Sequence, residues 1–266
     1  MTIKRSFTEN NFASVLNEYK YNAHLGDIVA GTVFNIEENG LLVDIGTNTV
    51  GYLPREEIFL DTKFISNKTQ GLSNIINVTR DFFLLAYNKH SKQLILSIKR
   101  LEYIRAWKRI KQIEEEDIIL NTSIKKINKG GIITTLEGVQ GFIPKSHLGI
   151  ITKDLLKNYE NIKCKILLAD EQNNKLILSH KKANLCITAN KLRIGEIVKG
   201  TIIKVEKYGV FIQIYNILSL LHISEIGYKN IYNINEMFRK GDIIKVRVLH
   251  IDMEQGRLSV SRKNII

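Results

Sequence analysis

The chain has 266 residues, 44% of them hydrophobic, and a formal net charge of +12. Those values fit two or three globular domains with packed cores and argue against wholesale disorder. No apolar run reaches the ~18 residues of a membrane span, and the opening MTIKRSFTENNF lacks the apolar h-region of a secretory signal and is short on the Arg and Ser of an organellar transit peptide.

In chain order, Phe12, Leu16 and Tyr19 mark a short N-terminal helix with Thr8 as its cap. From residue 25 the pattern changes to short runs of Val, Ile, Leu and Thr punctuated by Gly or Asn, which predicts strands. This first unit contains Asn39–Ile45 (NGLLVDI) and Tyr52–Ile58 (YLPREEI), and ends in Leu94–Lys99 (LILSIK). A helical stripe follows, with Leu101, Ile104, Trp107, Ile110 and Ile113 set in a run thick with Arg and Lys that closes on Glu114–Glu116. Trp107 is expected to pack inward from this linker rather than to stack on a ligand.

The same phrases then return. Gly130–Leu136 (GGIITTL), Phe142–Leu148 (FIPKSHL) and Leu176–Lys181 (LILSHK) form a second unit, preceded by the weak start Asp117–Ile124. Tyr208–Ile214 (YGVFIQI), Leu220–Ile226 (LLHISEI) and Leu258–Lys263 (LSVSRK) form a third. Its opening, Gly195–Ile202, repeats Gly26–Val33 of the first unit, and Ser97, Ser179 and Ser261 recur every 82 residues. A repeat of this kind fixes the architecture before any other signal does.

In the third unit, strands are predicted near 197–205, 209–215, 217–222, 242–250 and 257–262, with a short helix or loop near 224–239. Gly209 suits a bulge or tight bend. Five short strands in about 70 residues are too few for two packed sheets; closing them into a five-stranded OB barrel removes the exposed edges. The expected fold is therefore all-β: an N-terminal helical segment (1–24), a first barrel (25–99), a linker helix (100–115), a second barrel (116–182), a linker (183–193) and a third barrel (194–263).

Charge is unevenly spread: residues 1–24, 25–100, 101–190 and 191–266 carry +1, 0, +5 and +6. The excess beyond residue 100 predicts an anionic partner there. Cys164 and Cys186 fit no C-x-x-C pattern, which suggests a reducing compartment and small apolar roles. The six histidines show no metal-ligand spacing, and no P-loop, Gly-x-Ser-x-Gly or acidic pair for two-metal hydrolysis occurs. Neither an enzyme nor a cofactor, membrane or small-molecule substrate is expected.

Together, Gly-Glu-Ile-Val-Lys-Gly-Thr-Ile (195–202), Lys-Tyr-Gly-Val-Phe-Ile (207–212), Leu-His-Ile-Ser-Glu-Ile (221–226) and Gly-Arg-Leu-Ser-Val-Ser (256–261) resemble the S1 RNA-binding motif. Three copies in this order, with Arg100–Trp107, Lys129–Gly131 and Gly141–Pro144, resemble the ribosomal protein S1 family in its short plastid and cyanobacterial type. The resemblance covers about residues 7–263. It implies OB barrels, binding of single-stranded messenger RNA, and partners among the proteins and ribosomal RNA of the small subunit. The heavy use of Ile, Asn and Lys resembles translation of an A/T-rich genome, so the expected place is a plastid ribosome in the stroma, with an A/T-rich bacterium as the alternative.

Single-stranded RNA is held by aromatic faces under the bases and cations along the phosphates. By the resemblance, Tyr208, Phe211, His222, Asp252 and Arg257 line one face of the third barrel. Stacking falls to Tyr208, Phe211 and His222, and phosphate or base-edge contact to Arg257, which Asp252 would orient by an ion pair. The second unit keeps Asp170 and Lys175 but has Gly130, Ile133 and Pro144 at the other three positions; Lys125, Lys126, Lys129, Lys145 and Lys175 make it an electrostatic helper. The first unit has Asn39, Leu42, Pro54, Asn88 and Gln93 instead, and is expected to dock rather than to bind RNA. Proline thus marks the units without the stacking set.

Overall fold

A computed structural model describes residues 23–47, 49–58, 76–90, 92–150, 160–227 and 234–265. The expected helix on Phe12, Leu16 and Tyr19 lies outside them. The chain divides into two compact units, Met1–Arg105 and Ala106–Ile266.

The first unit holds one barrel. Strands β1 (Ile28–Ile36), β2 (Gly40–Asp44), β3 (Gly51–Pro54), β4 (Thr79–Asn88) and β5 (Gln93–Ser97) close in the order β1-β2-β3-β5-β4. All neighbours run antiparallel except β3 and β5. Alternate residues point inward, so Val29, Val33, Leu41, Val43, Leu53, Phe82, Leu84 and Leu96 fill the interior. Full burial of each such side chain contributes roughly 1.5–3 kcal/mol. Helix α1 (Ile98–Glu115) follows at once, and the Ser97 hydroxyl caps it by accepting from Arg100 N at 2.7 Å.

The second unit holds two more barrels of the same order. One is made of β6 (Leu120–Ile127), β7 (Gly131–Leu136), β8 (Val139–Pro144), β9 (Asn161–Asp170) and β10 (Lys175–Ser179). Helix α2 (His180–Thr188) leads on to β11 (Ile197–Glu206), β12 (Gly209–Ile214), β13 (Ile217–His222), β14 (Ile243–Asp252) and β15 (Arg257–Ser261). The first strand of every barrel carries a bulge, at Val33/Asn35, Ile124/Lys126 and Ile202/Lys204, which adds the twist that so small a barrel needs. Gly200 shows how tight the coiling is: a Cβ there would stand 2.4 Å from Ile212 Cγ2.

In α1, Trp107 is fully buried with Leu101, Ile110 and Ile113, as expected for a packing residue. The later part of the helix is tied to β9, where Glu114 Oε1 accepts from Ala169 N at 3.1 Å and Lys111 pairs with Glu171. Residues 183–193, expected as a linker, instead supply Leu185 and Leu192 to the core of the third barrel. The start of α2 also grips β9, because His180 Nδ1 donates to Lys163 O at 2.6 Å and Lys182 Nζ to Ile166 O at 3.4 Å. From the other side, the β14–β15 turn rests on α2: a Cβ at Gly256 would come 2.7 Å from Lys182 N. The second and third barrels are therefore joined through a shared, packed helix.

Under that helix lies a buried ammonium. The Lys165 side chain is 3% exposed and donates to Asp117 Oδ2 at 2.5 Å, while Lys182 holds the other oxygen at 3.1 Å. Burial opposes the Asp117 charge, but the two lysines outweigh it and hold its carboxyl below the ordinary range. Burial pushes the Cys164 thiol up to about 11, which makes it an inert core residue.

Candidate nucleic-acid interface

The candidate residues of the third barrel gather on the outer face of three adjacent strands. In β12, Val210, Ile212 and Ile214 point into the core, so Phe211 and Gln213 point out. Phe211 lies half-buried on the barrel's exterior and is no part of the core cluster. Register sets it opposite Leu220 of β13, which in turn sits beside Ser259 of β15. His222 is two residues beyond Leu220 and Arg257 two before Ser259, so both share that face. Tyr208, 51% exposed in the turn ahead of β12, meets the Phe211 ring edge-on, with centroids 6.1 Å apart at 90°. The pair offers a base two differently oriented ring surfaces.

His222 is fixed by its own turn. Its Nδ1 lies 2.8 Å from Ser224 Oγ and accepts from Ser224 N at 3.3 Å, leaving Nε2 for a ligand. The backbone there has φ −66° and ψ 150°, against −60° and 147° at Pro54 and −61° and 149° at Pro144. This is the conformation that a pyrrolidine ring imposes. Proline and histidine therefore serve the same backbone, and only histidine adds a functional group.

One expectation is corrected. Asp252 forms no ion pair with Arg257 among the described residues; its Oδ1 accepts from Gln255 N at 2.9 Å and closes the hairpin turn. Asp170 does the same, accepting from Asn173 N at 3.1 Å and Asn173 Nδ2 at 2.7 Å, and Asn88 Oδ1 accepts from His90 N at 3.0 Å. The carboxylates build turns. Arg257 and Lys175 are exposed at the strand starts opposite them.

Two cations escaped the sequence reading. Lys204 is the cross-strand partner of Phe211, placed there by the β11 bulge, and pairs with Glu206. Lys181 is half-buried at the start of α2, where burial and then the nearby Arg257 depress its pKa, against the pull of Asp252. A bulge shifts the alternation by one, so Lys204 could be found only from the register. Lys181 needed the barrel packing.

The second barrel places Lys129 and Lys145 together. Lys129 is exposed in the β6–β7 turn, and Lys145 N donates to Gly130 O at 2.8 Å, so both cations flank the same glycine. Ile133 occupies the Phe211 position, but the barrel is not without an aromatic: Phe142 of β8 is the cross-strand partner of Ile133 and also points outward. In the first barrel Tyr52 stands likewise beside Leu42.

Residues 23–83, 114–181 and 191–263 match the S1 RNA binding domain family. The chain is thus a tandem array of three S1 domains. It is 51% identical over 263 residues to the "Small ribosomal subunit protein bS1c" of Pyropia yezoensis, covering 97% of each chain. The protein of that name from Porphyra purpurea is 49% identical, covering 98% of this chain and 97% of the relative. A "Small ribosomal subunit protein bS1" from Synechococcus sp. is 38% identical over 97% of this chain and 83% of its own. The chain belongs to the bS1 family of small ribosomal subunit proteins.

Proposed function

We propose that the protein is an RNA-binding constituent of the small ribosomal subunit that captures single-stranded messenger RNA for translation initiation. The observation that carries this reading is the single outward face holding Tyr208, Phe211, His222 and Arg257. Rings take the bases, and Arg257, with Lys181 nearby, follows the phosphates, while Lys204 stands across the sheet from Phe211. Stacking accepts any base face, so binding has little sequence preference. No chemical step is required of any residue.

The third barrel is the main reader, with the +5 of residues 101–190 adding attraction through Lys129, Lys145 and Lys175. Residues 25–100, with net charge 0, dock on the subunit. The bS1c relatives and the Ile-, Asn- and Lys-rich composition support a plastid ribosome as the place.

Sedimentation of the purified protein with small subunits, alone and with oligouridine, tests this reading. Stable co-sedimentation with capture of the oligonucleotide is expected. Tight RNA binding without subunit association at any salt concentration would favour a free RNA-binding factor instead.

A further inference from the structure

The aromatic position has moved between barrels rather than vanished. In the third barrel the outward row across the second, third and fifth strands reads Phe211–Leu220–Ser259. In the second it reads Ile133–Phe142–Ile177. The ring has crossed from the second strand to the third, and an aliphatic chain has crossed the other way.

The glycines beneath make the move possible. A Cβ at Gly131 would lie 2.9 Å from Phe142 Cζ, and one at Gly130 would lie 3.7 Å away. The Phe142 ring therefore extends over the Gly130–Gly131 backbone towards the β6–β7 turn, the place that Tyr208 and Gly209 occupy in the third barrel. It is half-buried, and three lysines stand on neighbouring elements: Lys126 on β6 across from Ile133, Lys129 in the β6–β7 turn, and Lys145, whose N–H bonds to Gly130 O. Each of these lysines is exposed and pairs with no carboxylate among the described residues. An outward aromatic ring with unpaired cations on the neighbouring strand and turns is the recognition chemistry of a single-stranded nucleic acid.

We propose that Phe142 is a second base-stacking site, flanked by Lys126, Lys129 and Lys145, so that the second barrel holds bases as well as phosphates. This rests on the RNA reading above and changes the second barrel's part in it. Tyr52 repeats the geometry in the first barrel, over Gly40, but residues 25–100 have no positive excess to hold a phosphate chain there.

The test is the affinity of the full chain for a fluorescent oligouridine long enough to cover two barrels. Phe142→Leu is the variant of choice, because Leu220 already fills the equivalent place in the third barrel. A loss of roughly five- to tenfold is expected, near the lower end for a lost stacking face. The double variant Phe142→Leu/Ile133→Phe, which copies the third barrel's arrangement, should recover most of it, and Phe142→Tyr should bind like wild type. Unchanged affinity in folded Phe142→Leu, alongside a loss in Phe211→Ala, overturns the proposal and leaves the RNA reading standing. Absence of any oligouridine binding by wild type at low salt takes down both. Should Phe142→Leu melt early, ultraviolet cross-linking of the wild-type chain decides: a cross-linked peptide containing Phe142 supports the site, and cross-links confined to residues 208–222 contradict it.

Discussion

A histidine in place of a proline, a carboxylate used for a turn and a lysine buried under a helix carry most of the chemical information here. His222 stood out as a candidate because the repeats align it with Pro54 and Pro144. What the alignment could not supply was the reason that the exchange is tolerated, which is the shared φ near −60°. The Asp252–Arg257 pair was misread because opposite charges facing each other across a hairpin suggest an ion pair, whereas an aspartate at that point is better placed for the backbone N–H three residues on. Asp117 is a different case, since it neutralises Lys165 in the interior. Asp117→Asn keeps an acceptor and tolerates the φ of 48°, so its cost isolates the charge. Urea denaturation should show a loss of about 1–2 kcal/mol, less than a fully buried pair because Asp117 is 55% exposed. His180 gives a pH signature. Burial depresses its pKa, opposed by the bond to Lys163 O, so it is neutral when folded and more basic when unfolded. Its stabilisation is complete above about pH 6.5 and is lost as pH falls through the lower folded value. His147 is depressed by burial and by Lys181 and Arg257, and acts in the same sense. Denaturation midpoints should therefore drop as pH falls below about 6.5, and His180→Gln should flatten that slope. An equal slope in the variant would contradict the assignment.

The 82-residue serine was visible in the sequence only as a marker of the repeat; its work is structural. Each copy is buried at the end of a barrel's fifth strand and reaches back to the turn after the third. Ser97 Oγ donates to Glu57 Oε2 at 2.6 Å, Ser179 Oγ lies 3.0 Å from His147 Nδ1, and Ser261 Oγ donates to Glu225 O at 3.4 Å. Ser179 also accepts from Lys182 N at 3.0 Å, capping α2. Ser179→Ala should cost about 1 kcal/mol in thermal or urea unfolding, the ordinary value of a cap. A variant as stable as wild type would mean that water replaces the hydroxyl without loss. Strand positions in the third barrel were legible almost to the residue, because β-branched runs between Gly and Asn leave little choice. The facing of side chains was less so. Motif alignment compares like positions, and Phe142 stands on a neighbouring strand from Phe211; only the register joins the two rows.

Across the whole chain, site chemistry and charge rise together, from a neutral first barrel to the third with its aromatic pair and Arg257. A fragment comprising Ile98–Ile266 retains α1 and both later barrels, so it should keep most of the RNA affinity and lose co-sedimentation with the small subunit. Retained association in RNA-depleted subunits would move the docking role away from residues 25–100. The central assignment, that single-stranded RNA lies across the outer face of the third barrel, is tested most directly by the salt dependence of oligouridine affinity for four folded proteins: wild type, Phe211→Ala, Arg257→Ala and Asn39→Ala. Phe211→Ala should shift the log–log line down by roughly 1–3 kcal/mol at every salt concentration, with its slope unchanged. Arg257→Ala should flatten the line by about 0.7, the loss of one phosphate contact, and Asn39→Ala, exposed in the first barrel, should overlay wild type. Wild-type behaviour in both third-barrel variants, with a loss in Asn39→Ala, would place the RNA on a different barrel.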